Sequence, residues 1–318
     1  MTPIRENVYA VGAGNSLVAA VAEPARKAGA GEAPAIVILN TGIVHRVGHQ
    51  RKFVVLARLL AARGLTVVRF DFAGIGDSDA RQDDLPPLEG CLDDIRVVLD
   101  WLETTRGLRR FVLLGLCSGA DHAIIYAGGD PRVVGAVLLD PMIPSTSRYL
   151  LHYFARRLVR PSSWLNFVTG HGRLYALIRK RLMKTKGGED LDAPMADDER
   201  VREFLNGVYA RAVDNNVQLL AVLTGATDGR QSYREQILDA FPELPLGPLL
   251  RAEFLRDCDH LFLFECDRER LNAIVVDWIE TTSFRDAEDG LGKPVPSQAA
   301  TFVKSMAGTI AMFGGQVI

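Results

Sequence analysis

The sequence predicts an α/β fold in which helices flank a mostly parallel central sheet. Short apolar runs alternate with segments of helical periodicity, and this alternation is typical of parallel strands joined by helices. The runs are almost entirely apolar, which indicates strands that are buried on both faces. The candidate strands are residues 35–39, 66–70, 111–114, 133–139 and 217–223.

An antiparallel hairpin is predicted before these strands, and helices are predicted between them. Residues 8–10 and 17–21 form the hairpin, because they flank a turn rich in glycine. The apolar faces of three helices lie within residues 53–60, 91–102 and 271–279. We expect Asp267 to cap the last of these helices, and Ser232 with Glu235 predicts the capping box of a further short helix.

The alternation of strands and helices is interrupted once. Residues 143–216 contain only helical and loop-like segments, which predicts a helical cap inserted into the sheet domain. The predicted organisation is a core of residues 1–142 and 217–281, a cap of residues 143–216 and a C-terminal tail of residues 282–318. An apolar segment in the tail predicts a helix that packs on the body or on a second copy of the chain, so a homodimer is one expected assembly.

The composition narrows the functional classes. With 37 Lys and Arg against 39 Asp and Glu, the 318-residue chain has no basic surplus for nucleic-acid binding. No apolar run reaches the roughly 18 residues of a membrane span, and residues 1–10 lack the apolar core of a secretory signal. Four cysteines are too few for a disulfide scaffold, so we expect a reduced, cytoplasmic protein. Metal motifs of the C-x-x-C and H-E-x-x-H types are absent from the sequence, and no metal or cofactor is expected.

The most specific chemical signal is Gly115-Leu116-Cys117-Ser118-Gly119, directly after a predicted strand. Glycines two residues before and two residues after a central residue permit a sharp strand-to-helix turn that exposes the central side chain. Cys117 is that central residue, because Ser118 lacks a glycine at the preceding offset. The helix N-terminus favours a thiolate there. The pattern predicts Cys117 as a nucleophile, with a buried structural cysteine as the alternative.

A thiol nucleophile needs a base and a group that orients the base. His260 follows the strand-like residues 252–255, in a loop from which its imidazole could reach the turn at Cys117. Asp228 follows the strand 217–223 and is the predicted acid. Asp140, which directly follows the strand 133–139, is the alternative acid.

The oxyanion that forms on an attacked carbonyl needs about two N–H donors that are already in place. We predict the backbone N–H of Ser118 as one donor. Ile43, in the loop Asn40-Thr41-Gly42-Ile43-Val44 after the first parallel strand, is predicted as the other. A tight turn without a catalytic role is the alternative for this loop.

These motifs, together with Asp71-Phe72-Ala73-Gly74-Ile75-Gly76-Asp77-Ser78, resemble the α/β-hydrolase superfamily over residues 8–280. The resemblance implies that Cys117, Asp228 and His260 are the nucleophile, acid and histidine, and that Asp71 is structural. Two features depart from the usual pattern. A cysteine stands where most members have serine, as in members that are similar to dienelactone hydrolases, and Thr41-Gly42 replaces the His-Gly of many oxyanion loops.

The predicted function is an acyl-transfer hydrolase of thioesterase or esterase type that acts on a small-molecule acyl ester or thioester. A thiolate that attacks a thioester makes a nearly even exchange, whereas attack on an oxygen ester is somewhat uphill. The chemistry therefore favours thioesters, lactones or acyl transfer over amide cleavage. An acyltransferase on the same residues, a lactone hydrolase and a non-catalytic binding protein are the alternatives.

The predicted cap is strongly basic. Residues 141–188 contain ten Arg and Lys residues and no Asp or Glu. Such a surface would attract a phosphorylated carrier, either coenzyme A or an acidic acyl carrier protein. A solvated helix face balanced by the acidic residues 189–199 is the alternative.

Overall fold

The computed structural model describes residues 2–25, 33–144, 146–149, 199–226 and 231–284. Most of the predicted cap, most of the tail and the predicted acid Asp228 lie outside these residues. The domain boundaries given above therefore stay predictions.

The described residues form one eight-stranded sheet with the spatial order β1-β2-β4-β3-β5-β6-β7-β8. β1 and β2 are antiparallel, β2 pairs antiparallel with β4, and the remaining pairs are parallel. The strands are Ile4–Val11 (β1), Leu17–Pro24 (β2), Ala35–Ile38 (β3), Val67–Phe70 (β4), Phe111–Leu116 (β5), Val133–Leu139 (β6), Gln218–Thr224 (β7) and Leu250–Leu255 (β8). The predicted mostly parallel α/β sheet and its opening hairpin are confirmed.

Helices connect and cover the strands. They are Lys52–Ala61 (α1), Pro87–Arg106 (α2), Ser118–Ala127 (α3), Glu199–Asp214 (α4), Gln236–Ala240 (α5) and Glu265–Thr281 (α6). Among these described helices, none combines the length and the apolar character that a membrane crossing requires.

Two predicted helix starts are wrong. Phe264 occupies the N-cap position of α6, and Asp267 lies buried within the first turn. The helix α5 begins only at Gln236. The backbone N–H of Ser232 donates to the Gln236 side chain at 2.8 Å, so Ser232 and Glu235 do not form the predicted capping box.

Apolar side chains form one core on each face of the sheet, since successive strand residues point to opposite faces. In β3, for example, Val37 belongs to the core that also contains residues of α2, α3 and α4, whereas Ile36 and Ile38 belong to the core with α1 and α6. This double covering fixes the strands rigidly. The loops after β3, β5, β6 and β8 therefore meet at the carboxyl edge of the sheet in a fixed arrangement.

Candidate active site

The turn between β5 and α3 holds Cys117 in a strained conformation. Its backbone has φ 57° and ψ −123°, which a residue with a side chain rarely adopts. The Cys117 N–H donates to the Leu139 carbonyl of β6 at 2.9 Å, and the Cys117 carbonyl accepts the N–H of Ala120 at 2.9 Å. These bonds anchor the turn to the sheet on one side and to α3 on the other, and they leave the thiol half-buried.

Close backbone packing explains the two flanking glycines. A Cβ on Gly115 would lie 2.1 Å from the Gly119 carbonyl carbon, and a Cβ on Gly119 would lie 2.3 Å from the Asn40 carbonyl oxygen. The second contact brings α3 against the loop after β3. The glycine pattern therefore sets the turn and its distance from the predicted oxyanion loop.

The structure brings His260 to a different carboxylate from the one preferred in the sequence analysis. The Nδ1 atom of His260 lies 2.8 Å from Oδ2 of Asp140. Asp140 directly follows β6 with a φ of 47°, and its side chain is fully buried. The Thr224 N–H donates to Asp140 Oδ1 at 2.7 Å, and the Thr224 hydroxyl donates to Oδ2. The end of β7 thus braces the carboxylate that contacts the histidine.

Asp228 lies outside the described residues. The imidazole has one hydrogen on Nδ1, and the contact with Asp140 uses it. The assignment of Asp228 as the orienting acid stays a prediction, while the described contact favours Asp140, the alternative that the sequence analysis left open.

The imidazole of His260 also forms a hydrogen bond with Cys117. Since Asp140 occupies Nδ1, Nε2 is the nitrogen that remains for the thiol. Burial acts to lower the pKa of His260, but hydrogen bonds to Asp140 and Cys117 and the charges of these groups raise the pKa to about 9. This shift favours the protonated ring.

The oxyanion loop is fastened to α3 by a side chain. The Gly42 N–H donates to Oγ of the buried Ser118 at 2.7 Å. Within the loop, the Val44 N–H donates to the Thr41 carbonyl at 3.0 Å, which closes a turn around Gly42 and Ile43. In the described part of the chain, neither the Ile43 N–H nor the Ser118 N–H donates to a backbone carbonyl, as their predicted role as oxyanion donors requires. Sequence reasoning used only the backbone of Ser118 and missed its hydroxyl.

A buried polar network supports this loop from below. The Asn40 amide donates to the Val44 carbonyl at 2.7 Å and to Asp71 at 3.0 Å, while its oxygen accepts the Phe72 N–H at 2.8 Å. Asp71 also accepts the Arg46 N–H at 2.6 Å. These contacts agree with the structural role expected for Asp71.

One group of side chains near this network has the composition of a metal site. The ligand atoms of His45, Asp71 and Asp77 lie within 4.8 Å of one another. Arg46 forms ion pairs with both carboxylates, however, at 2.8 Å to Asp77 and at a shorter distance to Asp71. The guanidinium already neutralises the charge that a cation would need, so this cluster does not fit a metal.

Strained backbone concentrates around the candidate site. Six non-glycine residues of the described chain have a positive φ, and five of them lie at or next to the carboxyl edge of the sheet. These five are Gln50, Arg51, Cys117, Asp140 and Phe262. Such conformations cost roughly 1–3 kcal/mol each and persist only where surrounding contacts enforce them.

Comparisons with known proteins agree with this fold. The profile of a family described as serine aminopeptidase, S33, matches residues 31–227, which is more than half of the chain. The chain belongs to this α/β-hydrolase family. It is thus a member of a hydrolase family. Curated protein sequences gave no significant match.

Solved structures similar to this S33 family member share its fold. A protein described as a dienelactone hydrolase from Klebsiella pneumoniae has a TM-score of 0.53 and 15% identity, covering 88% of this chain and 100% of that one. The esterase Pf2001 of Pyrococcus furiosus has a TM-score of 0.52 and 13% identity, covering 88% and 92%. A protein described as a hydrolase from Agrobacterium vitis has a TM-score of 0.51 and 20% identity, covering 87% and 99%. At these identities the similarity establishes the fold alone.

Proposed function

We propose that this S33 family member is an acyl-transfer hydrolase of esterase or thioesterase type that works through a covalent acyl-Cys117 intermediate. His260 is the proton carrier, and Asp140 is the residue that orients it. The single observation that carries the proposal is the connected row of groups: a strained Cys117 hydrogen-bonded to His260, whose Nδ1 lies 2.8 Å from a buried carboxylate.

The charge state of the pair supports a nucleophilic sulfur. Because hydrogen bonds and charges raise the pKa of His260 to about 9, the imidazolium stands beside the sulfur at neutral pH. A neighbouring positive charge and the N-terminus of α3 both stabilise a thiolate relative to a thiol. The nucleophile is then charged before substrate arrives.

Acylation follows from these positions. The thiolate of Cys117 attacks the carbonyl carbon of the substrate, and the carbonyl electron pair moves to oxygen. The N–H groups of Ile43 and Ser118 stabilise the resulting oxyanion. Collapse of this intermediate expels the alcohol or thiol leaving group, which takes the proton of the His260 imidazolium. The products of this step are acyl-Cys117, a neutral His260 and the protonated leaving group.

Deacylation restores the starting state. The neutral His260 takes a proton from water while the water oxygen attacks the acyl carbon. Expulsion of the Cys117 thiolate releases the carboxylic acid and leaves the imidazolium beside the sulfur. In both steps Asp140 stabilises the imidazolium and holds the ring in one tautomer.

The identity of the nucleophilic atom favours activated acyl groups as substrates. The intermediate is a thioester, so its formation from a thioester substrate is nearly neutral in free energy. Formation from an amide would require a much poorer leaving group. We therefore propose small-molecule thioesters, lactones and activated esters as the substrate class.

Intact-protein mass spectrometry with a p-nitrophenyl acyl ester tests the proposal. We expect an added mass of one acyl group, located on Cys117 by peptide mapping, and loss of this adduct and of turnover in Cys117→Ala. The matched control is Cys266→Ser, which removes an exposed thiol and should leave both unchanged. Full turnover by Cys117→Ala would overturn the proposal, and a wild type with neither adduct nor turnover would favour a non-catalytic ester-binding protein.

Several earlier predictions stay predictions. The ten basic residues that suggested a coenzyme A or acyl-carrier partner lie, apart from Arg148, outside the described residues. An acyltransferase would use the same Cys117 and His260 and differ only in the acceptor. Product analysis with and without an added alcohol or amine separates transfer from hydrolysis. Homodimer formation and a cytoplasmic location likewise await experiment.

A further inference from the structure

A buried lysine lies next to the loop that carries His260. Lys52 is the first residue of α1, and only 3% of its surface is exposed. Its ammonium donates to the Leu261 carbonyl at 3.1 Å. Leu261 directly follows His260, so the bond connects α1 to the loop within one residue of the imidazole, across 209 positions of sequence.

Burial of this ammonium is unfavourable for its charge, while two aromatic ring faces partly offset that cost. The Nζ atom lies 5.3 Å from the centre of the Phe53 ring and 5.6 Å from that of Phe262. Burial lowers the pKa of Lys52 to about 8, although the negative charges of Asp259 and Asp140 oppose this shift. A cation in the first turn of a helix is also disfavoured by the helix dipole.

The backbone before Lys52 is strained as well. Gln50 and Arg51 have φ values of 51° and 59°, in the left-handed region that residues with side chains seldom occupy. A Cβ on Gly48 would lie 2.7 Å from the Phe53 ring. The strained backbone of this segment sets the residue at which α1 begins. That start places Lys52 beside the His260 loop.

The His260 loop is held in part by its own residues. The Asp259 carboxylate accepts the N–H groups of Leu261 at 2.8 Å and Leu263 at 3.0 Å. Phe262 has a positive φ of 52° and is completely buried. The loop is thus folded on itself around Asp259, and Arg268 of α6 donates to the carbonyls of Phe262 and Leu263. Lys52 adds the bond that ties the loop to α1.

We infer that Lys52 is a positioning residue that fixes the His260 loop, and hence the imidazole, relative to Cys117 and Asp140. The inference rests on the proposed function, since it assigns Lys52 an effect that passes through His260. Free movement of the imidazole by about 1 Å is enough to cost 100-fold in rate. Lys52 therefore acts on turnover without touching the substrate.

A double-mutant cycle with His260 tests this role, because two residues that act through one group show non-additive effects. The four proteins are the wild type, Lys52→Met, His260→Ala and the double variant, assayed by acyl-enzyme formation in a single turnover and by steady-state kinetics. We expect Lys52→Met to lower kcat by about 10-fold to 100-fold with KM changed less than about twofold. In the His260→Ala background the same substitution should change the residual rate less than about twofold.

The controls separate the possible failures. Arg58→Met removes an exposed cation from the same helix, where Arg58 pairs with Glu6, and should leave kcat unchanged. Lys52→Gln keeps an N–H donor without the charge and should give an intermediate kcat, so it supplies the same cycle if Lys52→Met does not fold. Wild-type kcat in both Lys52 variants, or equal losses in both backgrounds, overturns the inference. Wild-type turnover by His260→Ala would instead overturn the proposed function.

Discussion

Asp140 and His260 are 120 positions apart in the chain, yet Oδ2 of Asp140 lies 2.8 Å from Nδ1 of His260. Asp140 follows β6, the histidine lies in the loop after β8, and Thr224 at the end of β7 donates to the carboxylate. Three neighbouring strands therefore define this contact. Because β6 and β7 are buried almost throughout and β8 pairs with β7, the sheet sets the geometry of the pair.

Replacing Asp140 should remove most of the activity. Asp140→Asn keeps the shape but removes the charge that stabilises the imidazolium and the acceptor that selects its tautomer. We expect kcat to fall by about 100-fold to 10,000-fold, measured on an activated ester. Asp228→Asn is the matched control and should retain wild-type kcat. A larger loss in Asp228→Asn than in Asp140→Asn would restore the original assignment.

The reactivity of Cys117 should persist at acidic pH. The raised pKa of His260 keeps the imidazolium beside the sulfur below about pH 9, so the thiolate survives well below the ordinary cysteine pKa of about 8.5. Iodoacetamide labelling of a Cys266→Ser background, mapped to Cys117 by mass spectrometry, measures this. In His260→Ala, labelling should slow at neutral pH and increase only towards about pH 8.5. Identical pH profiles in the two proteins would exclude the ion pair. Burial raises the pKa of Cys91 to about 12, which keeps that thiol from obscuring the result.

The hydroxyl of Ser118 should matter although it is not a nucleophile. In Ser118→Ala the Gly42 N–H loses its acceptor and the oxyanion loop loses its side-chain bond to α3. Since one misplaced oxyanion donor costs about 100-fold or more, we expect a fall in kcat of roughly 10-fold to 100-fold with a smaller change in KM. Acyl-Cys117 should still form, slowly. Complete loss of the adduct would point to Ser118 itself as the attacking group.

Gly119 should tolerate no side chain. The Cβ of Gly119→Ala would lie 2.3 Å from the Asn40 backbone oxygen, and neither backbone can move without disturbing the turn or the oxyanion loop. We expect a loss of stability of about 2 kcal/mol or more in urea unfolding. Gly247→Ala is the matched control, because a Cβ there meets no atom within 4 Å. Equal stability of the two variants would contradict the tight packing of α3.

Lys52 and His260 should give opposite dependences of stability on pH. The pKa of Lys52 is lowered to about 8, so the unfolded chain binds more protons between this value and its own pKa of about 10.4. The free energy of unfolding of the wild type relative to Lys52→Met should therefore increase as pH rises from about 8 to about 10. Urea unfolding across this range measures the difference. A flat difference would mean that the ammonium is as well solvated in the folded protein as in the unfolded chain.

For His260 the sign is reversed. The pKa is raised to about 9 in the folded protein, so its stabilising effect is complete below the unfolded value of about 6.5. It is lost as pH rises through about 9. Compared with His260→Ala, the wild type should lose stability over the window from about 6.5 to about 9. A difference that stays flat over that window would show that the folded protein does not raise the pKa of this imidazole.

The sheet and the turn at Cys117 could be predicted from the sequence because their signals are local. Apolar runs mark the buried strands, and the glycines around Cys117 require a turn whatever surrounds it. The choice between Asp140 and Asp228 could not be made in this way, because it depends on which strand end faces the loop after β8. That relationship follows from the order of strands across the sheet.

The burial of Lys52 is a second feature that the local sequence could not predict. Its neighbours in sequence indicate the start of an amphipathic helix, where a lysine is ordinarily solvated. Its burial is due to a loop 209 positions away, which no local pattern reports. The hydroxyl of Ser118 was overlooked for a similar reason, since its partner Gly42 belongs to another loop.

The unusual backbone angles at Gln50, Arg51, Cys117, Asp140 and Phe262 also bear on how this enzyme could be engineered. Substitutions that relieve the strain at these positions would raise the free energy of unfolding. They would also displace the reactive side chains from their mutual contacts. Gains in thermal tolerance should therefore be sought far from this edge, for example on the β1–β2 hairpin. Tighter surface packing on that hairpin would leave the relative positions of the reactive groups unchanged.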